Sequence, residues 1–131
     1  MTLVLDSSVT LARLWEDETT DGVREVFELI RDGGAWVPSL WRLEVANSLQ
    51  MDVRRGRQIA EFRDGALADL AHLSIQIDPE TDGQAWGPTL RLAEKHRLTL
   101  YDAAYLELAL RRRLPLATLD RELRTAAEVE G

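Results

Sequence analysis

Three aspartates occupy positions where strands end or helices begin, and carboxylates in such places can bind metal ions or move protons. Asp6 directly follows the first short apolar run, and Asp120 follows the last one. Parallel pairing of the strands that these runs predict brings both carboxylates to one edge of a sheet, where sites collect in α/β proteins. Each aspartate also has a simpler interpretation, since Asp6 and Asp120 suit helix N-termini, and Thr99 with Asp102 fits a capping box.

Glu44 is harder to explain as a structural residue. It belongs to a series whose spacing predicts one buried stripe of a helix: Leu40, Leu43, Glu44, Asn47 and Met51. Burying an ionised carboxylate without a partner is costly, so Glu44 must be protonated, paired with an arginine such as Arg42 or Arg91, or facing a cation. Asn47 follows by one helical turn and can hold that carboxylate or a bound water by hydrogen bonding.

The residue types in this chain restrict any metal site to oxygen ligands. There is no cysteine, and the two histidines, His72 and His96, lack the spacing of a zinc pair. Mg²⁺ and Mn²⁺ prefer carboxylate, carbonyl and water ligands. No Gly-x-Ser-x-Gly elbow and no phosphate-binding glycine loop occurs. The sequence therefore leaves Mg²⁺ or Mn²⁺ as the metals that suit it.

The charge balance of the chain argues against loose adhesion to nucleic acid or to an anionic membrane. Lys and Arg number 16 against 23 Asp and Glu, which gives a net charge of −7. Any nucleic-acid role must use local positive charge or bound cations. Two basic clusters follow predicted helices and are either helix-end charges or phosphate contacts. They consist of Arg54, Arg55 and Arg57, and of Arg111, Arg112 and Arg113.

Short apolar strands alternate with amphipathic helices along the chain. The predicted strands are Leu3–Leu5, Ala35–Val37, Leu73–Ile77 and Leu114–Thr118. The predicted helices after the first are Thr20–Asp32, Leu40–Arg55, Ile59–Leu73, Asp82–His96, Ala103–Arg112 and Arg121–Ala127, with Gly87-Pro88 expected to delay or kink the fifth helix of the chain. This order predicts a three-layer α/β/α fold with a short, mostly parallel central sheet.

The length and composition predict one cytoplasmic domain. A chain of 131 residues with 45% hydrophobic residues can bury its own core, so we expect a single domain over residues 1–131. The first residues lack the basic start of a signal peptide, and no apolar run is long enough to span a bilayer.

Four short motifs occur in order along this chain: Leu-Val-Leu-Asp6-Ser-Ser8, Trp41-Arg-Leu-Glu44-Val-Ala-Asn47, Leu100-Tyr-Asp102-Ala-Ala-Tyr and Ala117-Thr118-Leu-Asp120. In residue types and order they resemble the PIN domain, in particular the VapC toxins of bacterial type II toxin-antitoxin pairs. The resemblance covers nearly the whole chain, from Asp6 to Asp120.

The resemblance implies a Mg²⁺- or Mn²⁺-dependent endoribonuclease that forms a homodimer and is inhibited by a cognate antitoxin protein. It assigns the catalytic and metal-binding roles to Asp6, Glu44, Asp102 and Asp120, and supporting roles to Ser8, Asn47 and Thr118. Four acids at one sheet edge repel one another, and divalent cations are the simplest way to neutralise them. We expect hydrolysis of RNA by water whose pKa the metal lowers, with the basic clusters as candidate RNA or antitoxin contacts.

Two other functions agree with parts of the pattern. A haloacid dehalogenase-type phosphatase is suggested by Asp6-Ser-Ser8-Val-Thr10 after a strand, but it needs a second acid where Ser8 stands and must use the sole lysine, Lys95. The non-enzymatic alternative is a PIN-like fold that binds a partner and uses its acids as helix caps and in ion pairs.

Overall fold

Strands and helices alternate along the chain as the apolar pattern predicts. The computed structural model describes residues 1–131. The strands are β1 (Leu3–Leu5), β2 (Ala35–Val37), β3 (Ile75–Ile77) and β4 (Leu116–Ala117). The helices are α1 (Ser7–Leu14), α2 (Asp21–Gly33), α3 (Trp41–Arg54), α4 (Ala60–Ala71), α5 (Thr81–Gln84), α6 (Pro88–His96), α7 (Leu100–Arg112) and α8 (Arg121–Glu130), with a 3-10 turn at Glu16–Glu18.

The four strands form one parallel sheet in the order β3-β2-β1-β4. Val4 of β1 is opposite Trp36 of β2 on one side and Leu116 of β4 on the other. Helices α1 to α4 pack against one another, as do α6 to α8. Right-handed crossovers place these two groups on opposite faces of the sheet. The predicted three-layer α/β/α arrangement is therefore confirmed.

The core is built around β1 and α7. Every residue of β1 is buried, and so is every residue of α7 from Ala103 to Ala109. Burial of such a continuous run removes α7 from water on all sides of its middle turns. The amino end of α7, which carries Asp102, is thereby fixed relative to the carboxyl end of β1. No helix in the structure is both long and apolar enough to cross a membrane.

Several predicted element boundaries differ from the structure. The helix expected over Asp82–His96 is split into α5 and α6, because Pro88 occupies the first turn of α6 and cannot continue a preceding helix. Helix α7 begins at Leu100, three residues earlier than expected, because the Thr99 side chain accepts a hydrogen bond from the Asp102 amide. The strands β3 and β4 are shorter than their apolar runs.

The predicted buried stripe on α3 is wrong. Leu43 is 76% exposed, and the buried residues of the helix are Trp41, Val45 and Leu49. Glu44 is only half-buried on this helix, beside the true core face. The conflict between an acid and a core stripe therefore disappears, and the partners of Glu44 must be judged from its contacts.

A buried ion-pair network joins the carboxyl end of β3 to the last turns of α7. The side chain of Asp78 is fully buried, and its two oxygens accept hydrogen bonds from Arg111 Nη2 at 2.6 Å and Arg112 Nη2 at 3.2 Å. Arg111 also donates to Glu107 at 2.7 Å and to Glu80 at 3.2 Å. The Arg112 guanidinium lies 3.6 Å from the ring centroid of Trp36. These arginines are structural links between α7 and the sheet.

Replacing Asp78 with asparagine is expected to lower the free energy of unfolding by about 2 kcal/mol near neutral pH, since two arginines lose their anion. Burial raises the pKa of the Asp78 carboxyl, but hydrogen bonds from Arg111 and Arg112 outweigh it and hold the pKa below its ordinary value. A lowered folded-state pKa stabilises the fold above the unfolded-state pKa of about 4, and this contribution is lost as the pH falls further. Urea unfolding of both proteins across this range checks the prediction. A deficit that stays constant down to strongly acid pH would contradict it.

Candidate active site

Asp6 lies at the carboxyl end of β1, where its backbone amide donates to Ala117 of β4 at 3.0 Å. The residue is 3% exposed, and its carboxylate accepts hydrogen bonds at Oδ2 from Ser8 Oγ at 2.6 Å and from Thr118 Oγ1 at 2.7 Å. The side chain makes no capping hydrogen bond to α1. The helix-cap interpretation of Asp6 is therefore wrong, and two hydroxyl groups orient its carboxylate instead.

The turn after β4 joins Asp120 to the same cluster. The Asp120 amide donates to Thr118 Oγ1 at 3.0 Å, and the Leu119 amide donates to Ser8 Oγ at 3.0 Å. Asp120 Oδ2 accepts from the Leu123 amide at 3.0 Å, so the helix-cap interpretation is confirmed for this residue. Capping uses one carboxylate oxygen and fixes the direction in which the other points.

Glu44 is held by a tyrosine and not by an arginine. The Tyr105 hydroxyl donates to Glu44 Oε1 at 2.6 Å, and neither Arg42 nor Arg91 forms an ion pair with the carboxylate. Burial raises the pKa of Glu44, the Tyr105 hydrogen bond partly opposes this, and the charges of Asp6 and Asp102 raise it further. The ordinary tendency of Glu44 to ionise is thus weakened by its own neighbours.

Asp102 lies in the first turn of α7 and is affected by the same charges. Burial raises its pKa most, followed by the negative charges of Asp6 and Asp120 and, more weakly, of Glu122. Thr99 caps the helix through the Asp102 amide, so one half of the predicted capping box is present. Helix capping accounts for the Asp102 backbone but does not neutralise its carboxylate.

The four acids predicted from the sequence therefore lie close enough for the charges of some to raise the pKa of others. None of the four forms an ion pair. This donor set consists only of oxygen atoms and carries uncompensated negative charge, so it fits a hard divalent cation. No group of three or more acidic or histidine side chains converges at metal-binding distance. Binding would therefore use water ligands or rotation of carboxylates, and Mg²⁺ commonly keeps several waters.

Most of the other predicted site residues lie away from the four acids. Ser8 and Thr118 bind Asp6 as described, whereas Asn47 is exposed one turn beyond Glu44. The exposed arginines near the end of α3 start ten residues beyond Glu44, about 15 Å along the helix axis. They are Arg54, Arg55 and Arg57.

Two arginines of the basic cluster at the end of α7 have internal partners. Arg111 and Arg112 donate hydrogen bonds to Asp78, and Arg111 also donates to Glu107. These bonds favour a structural role, and the role of both arginines as RNA or antitoxin contacts stays a prediction. Arg113 is different because it is exposed and takes part in no ion pair.

Tyr105 and Glu122 were missed as contributors to the site. Tyr105 is three residues after Asp102, a spacing that puts both side chains on one side of α7. That spacing was a usable signal, although an apolar helix rich in alanine and leucine makes a tyrosine look like a core residue. Glu122 carries no such signal, because an exposed acid in the first turn of a helix is common.

The sequence matches the family model described as PIN domain over residues 3–129. The chain belongs to the PIN domain family. The resemblance noted from the four motifs is therefore confirmed. Among curated relatives of this PIN domain, Ribonuclease VapC3 from Pyrobaculum aerophilum is 29% identical over 123 residues, which cover 94% of this chain and 92% of the relative.

The fold of this PIN domain is also found in a solved structure. The crystal structure of PAE2754 from Pyrobaculum aerophilum superposes with a TM-score of 0.66 at 22% sequence identity. The similarity covers 99% of this chain and 92% of the other. It supports the fold independently of the sequence motifs.

Replacing Tyr105 with phenylalanine is expected to weaken Mn²⁺ binding by about tenfold, because Glu44 loses the donor that orients its carboxylate. Calorimetric titration of Mn²⁺ into the PIN domain measures the change. The matched control is Tyr101→Phe, which alters an exposed tyrosine on the same helix and should bind like the wild type. Equal affinities for both variants would show that Tyr105 only packs the core.

Asp102→Asn is expected to leave the metal-free protein as stable as the wild type or a few degrees more heat-stable, because it removes a charge that its neighbours repel. Thermal unfolding in EDTA measures this effect. A clearly lower melting temperature would mean that Asp102 is needed for the fold and would contradict the repulsion inferred here.

Proposed function

We propose that this PIN domain is a divalent-metal-dependent endoribonuclease and the toxin of a toxin-antitoxin pair. The observation that carries the proposal is a cluster of four carboxylates that share one neighbourhood and lack any cationic partner. Structural carboxylates of the same chain do have cationic partners, since Asp78 and Glu107 form ion pairs with arginines. The similarity to a relative named Ribonuclease VapC3 supports RNA as the substrate class.

The proposed metal ligands are Asp6, Glu44, Asp102 and Asp120. A bound Mg²⁺ or Mn²⁺ would neutralise these acids, lower the pKa of water and stabilise negative charge developing on the phosphate. The residues of the chain position this chemistry. Ser8 and Thr118 fix Asp6, and Tyr105 fixes Glu44, by hydrogen bonds that orient each carboxylate while leaving its charge intact.

Attack by water and not by the RNA 2′-hydroxyl distinguishes this mechanism from that of a metal-free ribonuclease. The chain places no histidine pair at the site, since His96 binds Glu130 and His72 binds the Ala68 carbonyl. The proposed reaction therefore breaks the bond between phosphorus and the 3′-oxygen. It leaves 5′-phosphate and 3′-hydroxyl ends.

The antitoxin, the homodimer and the cytoplasmic location stay predictions from the sequence. A cognate antitoxin that covers the acids would explain how a cell tolerates the enzyme. Arg54, Arg55 and Arg57 keep their candidate role as antitoxin or RNA contacts, because all three are exposed.

The two alternative functions have less support. The family match gives a PIN domain and not a haloacid dehalogenase-type phosphatase. A purely partner-binding protein would use its acids as caps and in ion pairs, whereas only Asp120 caps a helix and none of the four acids is paired.

The proposal predicts that the purified protein cleaves RNA in Mg²⁺ or Mn²⁺ and not in EDTA. Asp102→Asn should lower the rate by at least about a thousandfold, because loss of a charged metal ligand removes most of the metal-assisted stabilisation. End-labelled total RNA from a bacterial host is a suitable substrate, and end-group analysis should find 5′-phosphates.

Three results would contradict this function. Cleavage that resists EDTA, or products with cyclic phosphate ends, would exclude the metal-dependent mechanism. Normal cleavage by Asp102→Asn would separate the activity from Asp102, and normal cleavage by Glu44→Gln as well would separate it from the acid cluster.

A further inference from the structure

An arginine that neither basic cluster contains lies beside the acids. Arg124 is on the second turn of α8, and its Nη2 donates to the Thr118 carbonyl at 3.2 Å. The hydroxyl of that same threonine binds Asp6. The guanidinium is exposed and forms no ion pair, so most of its five N–H donors are free.

A groove extends from Thr118 and Arg124 along the β4 side of the sheet. It has a volume of about 730 Å³ and is lined by residues of α7, β4 and α8, among them Thr118, Arg124 and Arg113. Arg113 directly follows α7 and comes 11 residues after Asp102, about 16 Å along the helix axis. The groove thus begins next to the acid cluster and contains a second exposed arginine well away from it.

Two arginines of the groove are free to contact an anion. Among its acidic groups, Glu130 is paired with Lys95 and hydrogen-bonded to His96, each at 2.7 Å, whereas Glu128 and the α-carboxylate of Gly131 form no ion pair. Arg113 and Arg124 are both unpaired. The two guanidinium groups balance these two acids, so the groove lacks the negative excess of the whole chain, whose net charge is −7.

We propose that the groove between α7, β4 and α8 is the subsite for single-stranded RNA leaving the acid cluster, with Arg124 contacting the phosphate nearest the cluster and Arg113 a more distant one. The inference rests on the proposed ribonuclease function and assigns its substrate path. A guanidinium suits this task because it presents several donors to one phosphate and already holds the Thr118 carbonyl in place. A polyanion approaching four carboxylates needs such a cation beside them.

Binding of a labelled single-stranded RNA of mixed sequence, about twelve nucleotides long, tests the subsite. Fluorescence anisotropy is measured in Ca²⁺, at salt concentrations from about 50 to 200 mM. Arg124→Gln should weaken binding by about tenfold and lower the slope of log Kd against log salt by about 0.7, the value for one phosphate contact on a single strand. Arg124→Lys should keep the salt dependence and recover part of the affinity.

The matched control is Arg121→Gln. It removes the same charge from an exposed position on the same helix, but Arg121 does not line the groove or bind Thr118. It should bind RNA within about twofold of the wild type. Mn²⁺ binding by calorimetry should be unchanged in Arg124→Gln, since the arginine is not a metal ligand and loss of its contact to Thr118 is not expected to move Asp6.

The outcomes distinguish failure of the subsite from failure of the ribonuclease function. If the wild type binds RNA and Arg124→Gln binds equally well, or if Arg121→Gln loses as much affinity, the subsite is wrong while the ribonuclease function stands. Weakened Mn²⁺ binding in Arg124→Gln would also overturn it, because the arginine would then act on the shape of the acid cluster. If the wild type neither binds nor cleaves RNA, the proposed function fails and the subsite fails with it.

Discussion

Repulsion between carboxylates that are held close together is the constraint on which the rest of this structure depends. The four acids come from separate segments, and burial of β1 and of the middle of α7 supplies the rigid support that keeps them together. Hydroxyl groups, not guanidinium groups, orient two of them: Ser8 and Thr118 hold Asp6, and Tyr105 holds Glu44. A hydroxyl directs a carboxylate without cancelling its charge, so the cluster retains its attraction for cations.

Two buried aspartates illustrate how the same local position can have opposite roles. Asp6 and Asp78 each follow a strand of the parallel sheet directly, and each is almost inaccessible to solvent. Asp78 receives two arginines from α7, which makes it a structural link between the sheet and that helix. Asp6 receives only hydroxyl groups. Ser8 is a local partner of Asp6, so the difference comes from what distant parts of the chain add: a threonine hydroxyl at Asp6 and two arginines at Asp78.

This dependence on partners far away in the sequence also explains which features of the structure could be predicted from the sequence and which could not. The strands, the layer order and the caps at Thr99 and Asp120 follow from local patterns, and all of them are present. The buried face of α3 was misjudged because exposed apolar residues such as Leu43 imitate a core stripe. The Tyr105 hydroxyl reaches Glu44 across 61 positions, and Arg111 reaches Asp78 across 33, so tertiary packing decides both contacts and no local spacing encodes them.

The position of β1 has a consequence for how the protein is made. Of the four strands, β1 is translated first, yet it is an inner strand of the sheet, with β2 on one side and β4, which follows all the others in the sequence, on the other. One side of β1 therefore lacks its neighbour during most of translation, and Asp6 lacks the Thr118 hydroxyl for the same interval. The nascent polypeptide is therefore unable to assemble the acid cluster until residues 116–120 have emerged.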